Sequence, residues 1–168
     1  MEAAEFLYTS AEVGVAISGI AALMVAIGQG RRGAIDAQTM LYVGAIVERG
    51  LASAFFALLP ILLSGFDLRP GVLWLSSSGL LALYITSLGY RSYRTRKKER
   101  FLVTSLHGLT FSLLLVIGFL VAGLQLVHAS GLLLEQNIWW YTLGVAWLLV
   151  TMGYIFMIFL HSTLAINE

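Results

Sequence analysis

From Phe101 to Thr163 the chain carries one Asp, Glu, Lys or Arg, and that residue is Glu135. A stretch so poor in charge cannot supply the polar surface that a water-soluble fold must show. It splits instead into two apolar segments, 101–128 (FLVTSLHGLTFSLLLVIGFLVAGLQLVH) and 138–163 (IWWYTLGVAWLLVTMGYIFMIFLHST), joined by ASGLLLEQN. A helix needs about 20 mostly apolar residues to cross roughly 30 Å of hydrocarbon, and both segments exceed that length. Three earlier segments behave alike, at about 11–29, 37–66 and 71–90. Composition agrees, with 59% hydrophobic and 11% charged residues against the quarter charged of ordinary soluble domains.

The expected fold class is therefore all-α, a polytopic membrane bundle of five transmembrane helices in one integral membrane domain over 1–168. A four-span alternative leaves the first segment uncrossed. Between segments the breaks look like loops: GRRGAID, DLRPG and the charged RSYRTRKKER. In DLRPG, Pro70 fixes φ and Gly71 relaxes it, which reads as a tight turn. The acidic start, MEAAEFLYTSAE, lacks the basic n-region of a secretory signal, so the first segment is expected to be retained.

Lys and Arg prefer the cytoplasmic side of span ends. Arg31 and Arg32 fall in the first loop; Arg91, Arg94, Arg96, Lys97, Lys98 and Arg100 fall in the third. With five spans these loops share one side and the N-terminus lies outside, the C-terminus inside. A bacterial inner membrane is the expected location. The six bases of the third loop would also attract anionic lipid, at about 1 kcal/mol each near the surface. Trp74, Trp139, Trp140 and Tyr141 then fall at the outer headgroup level.

Glu48 and Arg49 pose the main puzzle, since an ionised side chain at bilayer centre costs several kcal/mol. The second segment is long, roughly 45 Å at 1.5 Å per residue. Its first half, capped by Asp36, is thus expected to protrude into the cytoplasm, with the acid–base doublet at the rim or lining a wet vestibule. Arg49 shares a face with Gln38, Tyr42 and Ser53, and Glu48 shares one with Leu41, Gly44, Ala52 and Phe55. In the fourth segment His107, Gly118 and Gln125 fall near one face, with Phe111, Leu114 and either Val121 or Ala122 between them. The pore or polar-site candidates are accordingly Glu48, Arg49, Gln38, Tyr42, Ser53, His107 and Gln125.

The small residues Gly14, Ala16, Gly19, Ala21, Ala22 and Ala26 let helix backbones approach closely, so the first segment is expected to pack against others. Ser76, Ser77 and Ser78 can bond back to their helix or across it, and His128 reads as an interfacial residue. With no cysteine in the chain, disulfides and thiolate chemistry are excluded. No phosphate-binding loop, zinc signature or nucleophile elbow is present, so neither an enzyme, a cofactor nor a metal site is expected. A membrane enzyme or redox carrier would need Glu48, His107 and His161 to converge. The functional expectation is a small homo-oligomeric channel, the alternative a non-conducting scaffold or accessory subunit of a larger membrane complex. The expected partners are lipid, further copies of the chain or another membrane protein, and not nucleic acid.

Overall fold

A computed structural model describes residues 2–32, 37–98, 105–131 and 137–165. It contains five helices: α1 (Glu2–Arg32), α2 (Ala37–Ser64), α3 (Pro70–Lys98), α4 (Ser105–Ser130) and α5 (Ile138–Ala165). No strand occurs among the described residues. Every helix is long and apolar enough to cross a membrane, and the chain is an integral membrane protein.

Helices α1 and α3 outrun their apolar segments, and the reason is propensity. The first begins at Glu2 rather than near residue 11, because EAAEFL is built of good helix formers. Its far end takes in Gly30, Arg31 and Arg32, so part of the supposed first loop is helical. The basic connector is corrected likewise: residues 91–98 continue α3 to Lys98. Arg and Lys are strong helix formers, and leaving hydrocarbon gives a helix no reason to stop.

The ends are set by local chemistry. The chain reverses after α2 at 65–67, where the Gly65 and Phe66 amides donate to the Leu62 and Leu63 carbonyls, both at 3.2 Å. Asp67 adopts φ 49°, the left-handed region that short polar side chains tolerate. The turn is therefore earlier than DLRPG suggests. Pro70 opens α3 instead, where a missing amide costs nothing and the fixed φ suits the first helical position. Gly131, at φ 63°, closes α4 with its amide on the His128 carbonyl at 3.2 Å, a common helix stop. Asn137 caps α5 by accepting the Trp139 amide on Oδ1 at 3.1 Å. Asp36, expected to cap α2, lies outside the described residues.

The chain forms two compact units, one of residues 1–59 with 148–168 and the other of 60–147. In the first, Ala21 of α1, Val43 and Ile46 of α2, and Met152 and Phe159 of α5 make a common core. The first half of α2, expected to protrude, is thus flanked by two other helices. In the second unit Leu81, Ala82, Ile85 and Leu88 of α3 are buried, as are Ala122 of α4 and Tyr141 and Val145 of α5. There α3 and α4 pack along their lengths, from Gly89 against the Phe119 ring to Ser78 against His128.

Candidate functional site

In the first unit the centre of interest is a crossing of α1 over α2. Buried positions of α1 recur every three or four residues, at Leu7, Ala11, Gly14, Ser18 and Ala21, which is one helical face. Gly14 meets Gly50 of α2. A Cβ on Gly14 would stand 2.6 Å from the Gly50 carbonyl oxygen and collide with Ser53 Oγ. A Cβ on Gly50 would collide with Ser18 Oγ and the Gly14 carbonyl, and would reach Met152 Sδ of α5 at 3.0 Å. Only hydrogen fits at either position. The two serines beside the crossing satisfy themselves within their helices: Ser18 Oγ donates to the Gly14 carbonyl at 2.7 Å, and Ser53 Oγ to the Gly50 carbonyl at 2.8 Å.

Arg49 lies beside this crossing. It is 9% exposed, and Nη1 donates to the Ala45 carbonyl at 3.1 Å. Glu48 is half-buried, and Tyr42 packs against the shared core. Arg49 falls near the middle of the Thr39–Ser64 span, and its neighbour Gly50 touches Gly14, near the middle of the Ala3–Ile27 span. The doublet is therefore mid-helix, with Arg49 buried and Glu48 half-buried. The polar face of Arg49, Tyr42 and Ser53 turns into the unit. Gln38 belongs to α2, but its side chain lies outside the description.

The opposite face of α1 is open. Glu5, Tyr8, Glu12, Val15, Ala16, Gly19, Ala22 and Ala26 are exposed, so four of the six small residues expected to pack do not. Tyr8, Ala11, Glu12, Val15 and Ala16 of α1 line an open groove of about 530 Å³ with Ala54 and Leu58 of α2. The Glu12 carboxylate meets no hydrogen-bond or ion-pair partner among the described residues.

In the second unit a polar group forms between α3, α4 and α5. Ser78 Oγ and His128 Nδ1 are 2.8 Å apart, and both residues are fully buried. The Trp74 ring leans on the imidazole at 5.2 Å between centroids and on the Tyr141 ring at 5.9 Å. Gln125 Nε2 donates to the Trp140 carbonyl at 2.8 Å. Gly144 makes room for that bond, since a Cβ there would reach Gln125 Nε2 at 3.0 Å and Leu81 Cδ2 at 2.5 Å. Gln125 Oε1 and His128 Nε2 are buried without a hydrogen bond, the imidazole lying near the Asn137 backbone. Ser77 Oγ donates back to the Leu73 carbonyl at 2.8 Å, so the serine triplet bonds both along its helix and across it.

His128 is thus buried inside its unit, two residues before the end of α4. Hairpin geometry is the signal that finds it: Ser78 stands twenty residues before the end of α3, and His128 twenty-three after the start of α4. In an antiparallel pair such positions share a level. The face of α4 with Phe111, Leu114, Gly118, Val121, Ala122 and Gln125 turns inward, Gly118 sitting under the Trp147 indole at 3.1 Å from where a Cβ would be. The His107 side chain lies outside the description, and His161 is exposed. Among the described residues no three His, Asp or Glu side chains gather to hold a metal ion. Arg91 and Arg94 are exposed on α3, Arg94 lying over the Tyr90 ring at 5.7 Å. Arg96, Lys97 and Lys98 continue that helix with side chains outside the description, and Arg100 lies outside the described residues.

Comparison with protein-family models, curated proteins and solved structures finds no match to this chain.

Proposed function

We propose that the protein is a non-conducting accessory or scaffold subunit of the membrane, which docks other transmembrane segments on its outer surface. The observation that supports this is the direction of its polar side chains. Ser53, Gln125 and His128 are fully buried and Arg49 nearly so, each within its own unit. What the helices show outward is mostly apolar, with Val13, Ile20, Leu23, Leu51, Phe55, Leu83, Leu120 and Met157 among the exposed side chains. A pore between subunits needs polar groups on the surfaces that subunits share. A docking protein needs close approach and few groups to desolvate, which the open face of α1 offers.

The chain enters the membrane with its N-terminus outside and its C-terminus in the cytoplasm, in a bacterial inner membrane. The basis is the collection of bases near the ends of α1 and α3. The extension of α3 past Tyr90 carries its bases on a continuous helix, which holds them beside anionic headgroups.

Reconstitution tests the reading. The protein in planar bilayers is expected to pass no single-channel current and to run as one copy per nanodisc. A unitary current that changes in Arg49→Ala would overturn the proposal in favour of the homo-oligomeric pore.

A further inference from the structure

We infer that the polar group of the second unit is a binding site for a water molecule, held between His128 Nε2 and Gln125 Oε1.

Both atoms are buried without a hydrogen bond, on side chains that are themselves fully buried. Buried side-chain polar atoms nearly always have a partner in protein or ordered water. The two residues stand three apart on one face of α4, about 4.5 Å along its axis. Helix α5 runs beside that face in a constant antiparallel register. Gly118 faces the Trp147 indole, Gln125 Nε2 bonds the Trp140 carbonyl, and the His128 imidazole lies near the Asn137 backbone. Each step along α4 is matched by an equal step back along α5. The two bare atoms therefore sit at adjoining levels of one interface. One water reaches both levels, because two hydrogen bonds of about 2.8 Å span that rise.

The donors and acceptors also match. Ser78 Oγ lies 2.8 Å from His128 Nδ1, and its hydroxyl has no other partner among the described residues. A hydroxyl carries one hydrogen to donate, so Ser78 donates to Nδ1 and the imidazole keeps its proton on Nε2. That leaves an N–H donor on His128 and a carbonyl acceptor on Gln125, whose amide nitrogen already donates to Trp140. Water accepts from the first and donates to the second. A third partner is at hand in the Asn137 carbonyl, which accepts the Trp140 amide at 3.2 Å and keeps a second lone pair. Three bonds are usual for a buried water. A lipid hydroxyl would have to draw its chain in among Ser78, Gln125, His128 and Tyr141, all fully buried.

The test uses the full chain in nanodiscs, labelled with 15N-histidine. Magic-angle-spinning NMR follows magnetisation from water protons into the imidazole nitrogens. His128→Phe identifies the His128 signals among the three histidines. The expected result is a bare Nδ1, a protonated Nε2 and transfer from water to Nε2. Gln125→Leu is expected to abolish that transfer and leave the tautomer, which Ser78 holds, unchanged. Should that variant fail to fold, the wild-type spectrum still decides.

Transfer to Nε2 from protein protons alone overturns the inference in favour of direct contact. Transfer from lipid headgroup protons would give the place to a lipid hydroxyl and equally overturn it. A ring protonated on Nδ1 would reverse the Ser78 bond and remove the donor that the water accepts from. Water transfer that survives Gln125→Leu would place the water elsewhere and also sink the assignment. None of these outcomes depends on whether the chain conducts, so the site stands or falls apart from the accessory-subunit reading.

Discussion

At the scale of single residues, glycine and serine carry most of the specificity. Gly14 and Gly50 are required because two backbones touch, not because of any unusual φ. Gly50→Ala is expected to lower stability in detergent by about 1–3 kcal/mol, the usual cost of forcing an extra carbon into a packed contact. Gly44→Ala, where an added Cβ has nothing within 4 Å, should leave the unfolding midpoint in place. Thermal unfolding of the two variants side by side checks this, and equal midpoints would mean the crossing is not tight. The Ser78–His128 bond makes a second prediction. Interhelical hydrogen bonds in membranes average about 0.6 kcal/mol and reach about 1.7. A double-mutant cycle with Ser78→Ala and His128→Ala should give a coupling within that range, and zero coupling would make the pair an accident of proximity. Neither feature stands out in the sequence. Gly14 and Gly50 are two of seventeen glycines, and what distinguishes them is the backbone opposite.

At the scale of elements, the helices were legible and their ends less so. Apolar length alone locates five spans, because lipid demands about the same length from each. Ends depend on what replaces the missing backbone partner. Asn137 and Gly131 do this with short-range chemistry, but Pro70 looks like a turn residue until the turn is seen to lie at 65–67. The extension of α3 shows the same limit from the other side. Hydropathy ends at the membrane surface, whereas helix propensity does not. Thr95→Pro should therefore shorten α3 by about one turn, since proline breaks a helix interior. Circular dichroism should show the loss at 222 nm with the unfolding midpoint of the bundle unchanged. A lowered midpoint would mean that the extension supports the bundle.

At the scale of the whole molecule, the absence of cysteine makes orientation directly measurable. Single cysteines at Asn137 and at Arg94 should react with a membrane-impermeant maleimide from opposite sides of intact cells. Asn137→Cys is expected to label from outside and Arg94→Cys only after permeabilisation. The reverse pattern would invert the topology drawn from the bases. The sequence by itself determined the solvent, the number of spans and the charge asymmetry along the chain. Each of these follows from counting apolar and basic residues, which needs no knowledge of neighbours. The tertiary structure alone decided which face of each helix is inside. On α1 both faces carry small residues at helical spacing, and periodicity cannot tell the packed set at Ala11, Gly14, Ser18 and Ala21 from the open set at Ala16, Gly19, Ala22 and Ala26. In lipid both faces are apolar enough to be exposed, so the hydrophobic pattern that orients a helix in water is lost. What orients it here is backbone fit and the pairing of a few polar groups, and those exist only once the helices have met.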